Sequence, residues 1–236
     1  MDGVPQNWIP DISNEDSIII DEAISSAAND QQVLATIGSY EIQTKSLRRL
    51  INGLELDNKT VDGYMSLLQG RSSARRVKCM GSSFFRRLFN PNGGDKHQPS
   101  DTVNMRLVSA YTRNIDIFQC QHILIPVIVK SHWTLIAVDM ALNQIRYLDS
   151  QAGTGMQFLP AIKRWLAHEW NRIPAYNSTV FPTEQWRLLP STPAITPQQH
   201  DLTSCGVFML MFAELLSDGQ DITRFTVTSV TMPEDI

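Results

Sequence analysis

The spacing of apolar and polar residues predicts several helices in the first half of the chain. Residues 46–50, 58–68, 83–89 and 103–113 have patterns typical of helices. The second of these segments places its apolar residues on one face, and the third is rich in phenylalanine. Helices of this kind bury their apolar side against a core. We therefore expect four helical segments before the first long strand.

Two different patterns predict strands in the second half. Residues 122–129 are almost all apolar and β-branched, which is typical of a strand buried on both faces. Residues 132–139 and 144–150 flank a short turn at residues 140–143, so we expect them to form a hairpin. Residues 184–189 are predicted to be a further strand. These strands would form one sheet.

A buried helix is predicted near the end of the chain. A loop over residues 190–201 leads into residues 205–216, which are apolar almost all round and contain no helix breaker. Thr203 and Ser204 are both good N-cap residues. Cys205 is therefore predicted to lie in the first turn, where the positive end of the helix dipole favours the nucleophilic thiolate.

Together these elements predict a domain of the α+β class. We expect a central mixed, mostly antiparallel sheet, with Cys205 at the N-terminus of a buried helix. Residues 157–172 are predicted to be an amphipathic helix that covers the sheet, because their aromatic and aliphatic side chains recur at helical spacing. Residues 39–236 are assigned to this domain.

Residues 1–38 are predicted to be an acidic N-terminal extension. They contain seven Asp and Glu residues and no Lys or Arg. Within this extension, residues 18–20 are predicted to be a short strand and residues 27–37 a helix. A solvated tail is as compatible with this composition as a docked segment is.

Composition excludes several classes of function. The 236 residues are 42% hydrophobic and 19% charged, which is typical of a globular protein. A net charge of −4 gives no general attraction to nucleic acid or to anionic membranes, so neither is expected as a partner. Three cysteines do not form a disulfide framework, and we expect an intracellular, reducing environment. Residues 1–16 lack the features of a secretory signal.

Four residues form a candidate site for amide hydrolysis by a cysteine. The midpoint of residues 132 and 149, 140.5, falls inside the predicted turn, so we expect His132 and Asp149 to lie opposite each other, about 4.5–5.5 Å apart at Cβ. Cys205 would be the nucleophile, His132 the acid and base, and Asp149 the group that orients the imidazole. Gln199 precedes the nucleophile by six positions, so its amide could donate to the oxyanion. Each signal is weak alone, and their combination carries the hypothesis.

Three sequence blocks resemble the catalytic blocks of the Ulp/SENP cysteine proteases, which cleave SUMO and related ubiquitin-like proteins. These blocks are residues 132–135 (HWTL), residues 147–150 (YLDS) and residues 199–206 (QHDLTSCG). The resemblance extends over residues 40–236. It implies a papain-like fold, with His132, Asp149, Cys205 and Gln199 in the catalytic roles given above. It also implies a monomeric enzyme without a cofactor, acting in the nucleus or the cytoplasm.

The resemblance also implies substrate-binding residues, and here the chain departs from the family pattern. Trp133 matches the tryptophan that helps to clamp the diglycine tail of the modifier in a narrow tunnel. Leu56 stands where the family has a second tryptophan, and Lys59 stands where an acidic residue is usual. Ser204 replaces an aspartate before the nucleophile. The family commonly continues into a further helix, so the chain is expected to be truncated or divergent at residues 232–236.

Other functions remain open at this stage. Within the enzyme class, the chain could be a deubiquitinase or a protease for another ubiquitin-like modifier. A catalytically silent module that binds the modifier is a third hypothesis, although such a module has no need of the complete catalytic set. A basic segment, residues 71–78, keeps an acetyltransferase in consideration. Cys79, Cys120 and His122 fit no zinc-ligand spacing, so no metal is expected.

Overall fold

The structure, a computed structural model, describes residues 13–71, 76–89 and 103–225. Residues 72–75 of the basic segment at residues 71–78, and all of residues 232–236, lie outside the described residues. The helices are α1 Asn14–Ser25, α2 Thr44–Ile51, α3 Asn58–Arg71, α4 Ser83–Phe89, α5 Met105–Val108, α6 Leu159–Arg172 and α7 Cys205–Ser217, with short 3-10 turns at Ser109–Tyr111, Ile117–Gln119, Thr183–Gln185 and Ile222–Arg224. The strands are β1 Val33–Ile37, β2 Tyr40–Gln43, β3 Val77–Cys79, β4 His122–Val129, β5 His132–Asp139, β6 Gln144–Leu148 and β7 Arg187–Leu189.

A mixed five-stranded sheet of order β3-β4-β5-β6-β7 lies at the centre of the fold. The inner pairings, β4 with β5 and β5 with β6, are antiparallel, whereas the two edge strands pair in parallel over only three residues each. Pro126 lies within β4, where its missing N–H could have broken the ladder. The neighbouring β3 ends opposite Leu124, so no strand among the described residues pairs with that side of β4 at Pro126.

Both faces of this sheet are covered. Strand side chains on one face of the sheet, such as Leu124 and Leu135, pack in one core with α3 and α7. Strand side chains on the opposite face, such as Ile125 and Ile136, pack in a second core with α4 and α6. This alternation follows from the two-residue period of a strand. Because α7 lies directly against β5, the start of the helix is brought to the end of the hairpin.

The register of the β5–β6 hairpin differs from the prediction. Asp139 lies opposite Gln144 and Leu135 opposite Leu148, so the same register would set Asp149 opposite Thr134. The direct pairing of His132 with Asp149 is therefore wrong by two positions. The predicted turn at residues 140–143 is found, but its centre lies between residues 141 and 142, one residue later than that pairing assumed. A shift of two positions keeps both side chains on the same face of the sheet.

The N-terminal elements are the reverse of those predicted. Residues 18–20 belong to helix α1 and not to a strand, because Ser13 caps the helix by accepting from the Asp16 backbone N–H at 3.0 Å. Residues 33–37, predicted to be helical, form strand β1 and pair with β2. Gly38 makes the turn between them with a φ of +61°, so this hairpin runs across the boundary placed after residue 38.

Candidate functional site

Cys205 is the first residue of helix α7 and is 2% exposed. Its sulfur accepts a hydrogen bond from the backbone N–H of Trp133, with an N–S distance of 3.5 Å. This contact places the thiol directly beside the start of β5. The structure thus puts Cys205 where the sequence predicts it, at the positive end of a buried helix.

The first turn of α7 is capped differently from the prediction. Neither Thr203 nor Ser204 accepts a capping hydrogen bond in its side chain; instead, the Asp201 carboxylate accepts from both backbone N–H groups, at 2.8 and 2.7 Å, and from the Ser204 hydroxyl at 2.6 Å. Desolvation acts to raise the pKa of Asp201, but the hydrogen bonds from Ser204 and Thr203 hold that pKa below its ordinary value. Asp201 therefore fixes the loop that carries the thiol.

His132 and Asp149 are joined by a short hydrogen bond, with 2.7 Å between Nε2 and Oδ1. The other ring nitrogen of His132, Nδ1, is buried and has no hydrogen-bond partner among the described residues. Desolvation acts to lower the pKa of His132, but the Asp149 hydrogen bond and the neighbouring Cys205 side chain raise it to about 9. The imidazole is therefore held in its charged form at neutral pH.

Asp149 is held from several sides, by residues that sequence reasoning missed. Its Oδ1 accepts from the Gln151 backbone N–H at 2.7 Å, its backbone N–H donates to the Ser191 hydroxyl at 3.1 Å, and its carbonyl accepts from Gln198 Nε2 at 3.0 Å. Gly153 lies so close to Oδ2 that a Cβ on this glycine would be 2.1 Å away. Only the glycine could have been noticed in the sequence, because glycine often marks a close approach.

Gln199 lies between the hairpin and α7 and is 9% exposed. Its Oε1 accepts from the Ser150 hydroxyl at 2.5 Å, and its Nε2 donates to the Asp201 carbonyl at 2.9 Å. The backbone N–H of Gln199 also donates to the Ser150 carbonyl at 2.9 Å. One N–H of the side-chain amide is not engaged in these bonds.

Trp133 and Leu56 lie together beside Cys205. The indole Nε1 of Trp133 donates to the Leu56 carbonyl at 3.0 Å, and a Cβ placed on Gly206 would lie 3.1 Å from the Leu56 side chain. Trp133 is 1% exposed and Leu56 is 5% exposed, so both side chains are packed in the protein. The structure therefore brings the two predicted substrate-binding residues to the same place, next to Cys205.

The other cysteines and the candidate metal ligands form no site in the part of the chain that the structure describes. No group of three or more His, Cys, Asp or Glu residues there could hold a metal ion. Burial raises the pKa of Cys79 to about 12 and also raises that of Cys120, so both favour the less reactive thiol form. No helix within the described ranges is long and apolar enough to cross a membrane.

Comparison with known proteins identifies the family. Residues 55–234 match the sequence profile of the Ulp1 protease family, C-terminal catalytic domain. The chain belongs to the Ulp1 protease family. The Ulp1-family match includes all of the site residues described above.

Relatives with similar sequences carry names from the same family. Ubiquitin-like-specific protease 1A of Arabidopsis thaliana is 27% identical over 218 residues, which cover 89% of this chain and 41% of the relative. Sentrin-specific protease 2 of Mus musculus is 24% identical over 195 residues, which cover 81% of this chain and 31% of the relative. The chain thus spans less than half the length of these two relatives.

Solved structures show the same Ulp1-family fold. A SUMO protease Ulp1 whose catalytic cysteine is oxidised to a sulfinic acid superposes with a TM-score of 0.73 at 17% identity, covering 94% of this chain and 90% of the other. The C-terminal Ulp1 protease domain solved in complex with Smt3, the yeast ortholog of SUMO, gives a TM-score of 0.70 at 17% identity, covering 94% and 98%. The predicted α+β, papain-like class is confirmed by this likeness.

Proposed function

We propose that this domain is a cysteine isopeptidase and endopeptidase that cleaves after the C-terminal diglycine of SUMO or a related ubiquitin-like modifier. The observation that carries the proposal is the hydrogen bond between His132 and Asp149 beside the N-terminus of the Cys205 helix. This bond holds the His132 imidazolium next to a thiol at a helix N-terminus, which is the arrangement that generates a nucleophilic thiolate.

Each site residue has a role in the proposed reaction. The Cys205 thiolate attacks the carbonyl carbon of the terminal glycine and forms a tetrahedral intermediate, whose oxyanion receives hydrogen bonds from the Gln199 amide and the Cys205 backbone N–H. When the C–N bond breaks, the His132 imidazolium gives its proton to the leaving amine, and a thioester remains. Neutral His132 then takes a proton from water as the water oxygen attacks the thioester carbonyl. The C–S bond breaks, the modifier leaves with a free carboxyl terminus, and the Cys205 thiolate and His132 imidazolium are restored. Asp149 orients the imidazole throughout.

Two features support a glycine tail as the substrate segment. Trp133 lies immediately beside the nucleophile, and Leu56 packs over Gly206 next to it. A narrow passage between large apolar side chains admits glycine and rejects residues that carry a Cβ. We infer that Trp133 and Leu56 flank the diglycine tail, and that the folded part of the modifier docks on the outer surface of residues 39–236.

The partner, oligomeric state and location belong to the same proposal. SUMO is favoured as the modifier because relatives are named sentrin-specific protease and a structure of similar fold is bound to Smt3. We infer a monomer that acts in the nucleus or the cytoplasm, where free thiols persist, and that uses no nucleic acid, membrane or cofactor. A different ubiquitin-like modifier is the second candidate, because Lys59 stands where the family has an acidic residue.

Covalent labelling tests the proposal directly. SUMO, ubiquitin and other ubiquitin-like proteins that carry an electrophile at the C-terminal glycine are incubated with wild type, with Cys205→Ala and with Cys120→Ala as the matched control. Labelling by the SUMO probe in wild type and Cys120→Ala, and its loss in Cys205→Ala, is the expected result. Labelling by ubiquitin alone would move the substrate to the second candidate. Modifier binding without any labelling would instead identify a silent binding module.

A further inference from the structure

Both polar atoms of the Gln199 side-chain amide form hydrogen bonds with other parts of the chain. On one side, the Ser150 hydroxyl lies 2.5 Å from Oε1; on the other, the Asp201 carbonyl lies 2.9 Å from Nε2. Ser150 is 2% exposed, so its hydroxyl is shielded from bulk water. The proposed catalytic roles use Gln199 but assign nothing to Ser150.

The chemistry of the two partners fixes the orientation of this amide. A backbone carbonyl can only accept, so the Asp201 oxygen must face the nitrogen of the Gln199 side chain. A rotated amide would set its oxygen against the Asp201 oxygen, and two acceptors at hydrogen-bond distance repel each other. With the nitrogen so placed, Ser150 must be the donor to Oε1. Both contacts are therefore satisfied by a single orientation of the Gln199 amide.

This orientation leaves one donor for substrate. Nε2 carries two hydrogens, of which one is used by Asp201, so the second remains for an oxyanion. A hydroxyl that donates to the amide oxygen also polarises the amide and strengthens its remaining N–H as a donor. The backbone bond from Gln199 N–H to the Ser150 carbonyl holds the two segments at a fixed spacing.

We propose that Ser150 is a positioning residue that aims the oxyanion donor Gln199 at the reacting carbonyl. The inference rests on the proposed function, because it assumes that Gln199 serves an oxyanion. Ser150 does not touch substrate; it acts through the Gln199 amide. Its effect belongs to the transition state, in which the oxyanion forms, and not to the binding of the modifier.

Steady-state kinetics on a modifier-tail substrate give the first test. Ser150→Ala should lower kcat about tenfold with KM within about twofold, a smaller loss than the roughly 100- to 1000-fold typical of deleting an oxyanion donor, as in Gln199→Ala. Ser217→Ala is the matched control, because Ser217 is also buried and makes one hydroxyl bond, to the Glu214 carbonyl, at the other end of α7. Ser150→Thr retains the hydroxyl, so its kcat should be much closer to that of wild type than the kcat of Ser150→Ala is.

A double-mutant cycle shows whether Ser150 acts through Gln199. In the Gln199→Ala background, Ser150→Ala should change kcat by less than about twofold, because its target is gone. An equal loss in both backgrounds would overturn the proposal, as would a loss in KM alone. If Ser150→Ala does not fold, Ser150→Cys, whose thiol is a weak donor of similar size, takes its place in the cycle.

Two readouts that need no modifier separate this proposal from the proposed function. The side-chain amide resonances of Gln199, assigned by their loss in Gln199→Ala, should be resolved and slow to exchange in wild type and should broaden or exchange faster in Ser150→Ala. The rate at which iodoacetamide alkylates Cys205 should stay within about twofold, because His132 and Asp149 keep their bond. Unchanged amide resonances, or a large fall in alkylation, would refute the role of Ser150 even if no modifier were cleaved.

Discussion

His132 and Asp149 are diagonal neighbours at the open end of the β5–β6 hairpin, and 2.7 Å separates the imidazole Nε2 from the carboxylate Oδ1. The last ladder pair, Leu135 with Leu148, lies just inside them. Diagonal neighbours on adjacent strands are about 7–8 Å apart, so a histidine and an aspartate side chain can meet between the strands. The bond leaves Nδ1 on the side of the ring away from Asp149, available to the thiol.

Replacing this carboxylate should impair turnover less than removing the imidazole. His132→Ala should abolish turnover because no group then protonates the leaving amine. Asp149→Asn keeps the size of the side chain but loses its charge, so the imidazole remains present and less well oriented. We expect a large fall in kcat that still leaves measurable turnover. Rates measured on one tail substrate for both variants check this order, and equal residual rates would contradict it.

The raised pKa of His132 predicts how activity depends on pH. The imidazolium persists until the pH passes about 9, so kcat/KM should fall on the alkaline side as the ring loses its proton near that value. In Asp149→Asn the largest of the effects that raise this pKa is removed, and the alkaline limb should move toward the ordinary histidine value of about 6.5. A pH–rate profile of both proteins, with thiol alkylation as a second probe, measures the shift. An unchanged limb would show that another group sets it.

The same pKa predicts a dependence of stability on pH. The folded protein holds the His132 proton more tightly than the unfolded chain does, so this group stabilises the fold fully below about pH 6.5. The contribution should decline as the pH rises through about 9, the pKa in the folded state. Urea unfolding of wild type and Asp149→Asn at pH 6 and pH 9.5 gives the measurement. The difference between the two free energies of unfolding should be larger at the lower pH.

Gly153 is predicted to be required for the position of the Asp149 carboxylate. A Cβ at this position would lie 2.1 Å from Oδ2, so Gly153→Ala must displace either the loop or the carboxylate, and kcat should fall at least about tenfold. Gly70→Ala is the control, since a Cβ there meets nothing within 4 Å and the exposed position lies inside helix α3. That control should keep wild-type kcat. Wild-type kcat in Gly153→Ala would refute the requirement.

A buried acidic residue, Glu214, links helix α7 to helix α3. Glu214 is 7% exposed, accepts from the Tyr64 hydroxyl at 2.7 Å and pairs with Arg71. Tyr64→Phe should lower the free energy of unfolding by about 1 kcal/mol, because one partner of a buried charged group is lost. Arg71→Ala should cost less, since its side chain is 59% exposed and its ion pair is screened by solvent. Thermal or urea unfolding of the two variants tests the order, which a larger loss in Arg71→Ala would reverse.

Much of the fold follows from local patterns in the sequence. The apolar run after Cys205 and the continuous apolar strand at residues 122–129 would expose large apolar surfaces to water unless buried. Both are found as predicted. The helix at the N-terminus could not be predicted from residue propensities, because Ile18, Ile19 and Ile20 favour strands. The capping bond from Ser13 and the acidic first turn favour the helix instead, and α1 has no buried residue whose packing could have been anticipated.

The structure brings the predicted site residues together, but the residues that hold them in place could not be predicted. His132 and Cys205 lie at the ends of elements with strong patterns, so their approach follows from the topology. Ser150, Gln198 and Asp201 act through single hydrogen bonds between loops, and loops have no periodicity from which such bonds can be inferred. The register error has a different origin: the turn at residues 140–143 was predicted correctly, but the pairing of His132 with Asp149 assumed a turn centre one residue too early.

Helix α7 has twelve of its thirteen residues buried, with Cys205 as the first of them. Opening of such a helix exposes much of one core, so its backbone amides should exchange with deuterium only through the global unfolding of the domain. Helix α1 has no buried residue and should exchange early. The thiol is therefore carried by one of the last segments to open, and denaturant should not detach it from His132 and Asp149 before the sheet itself is lost.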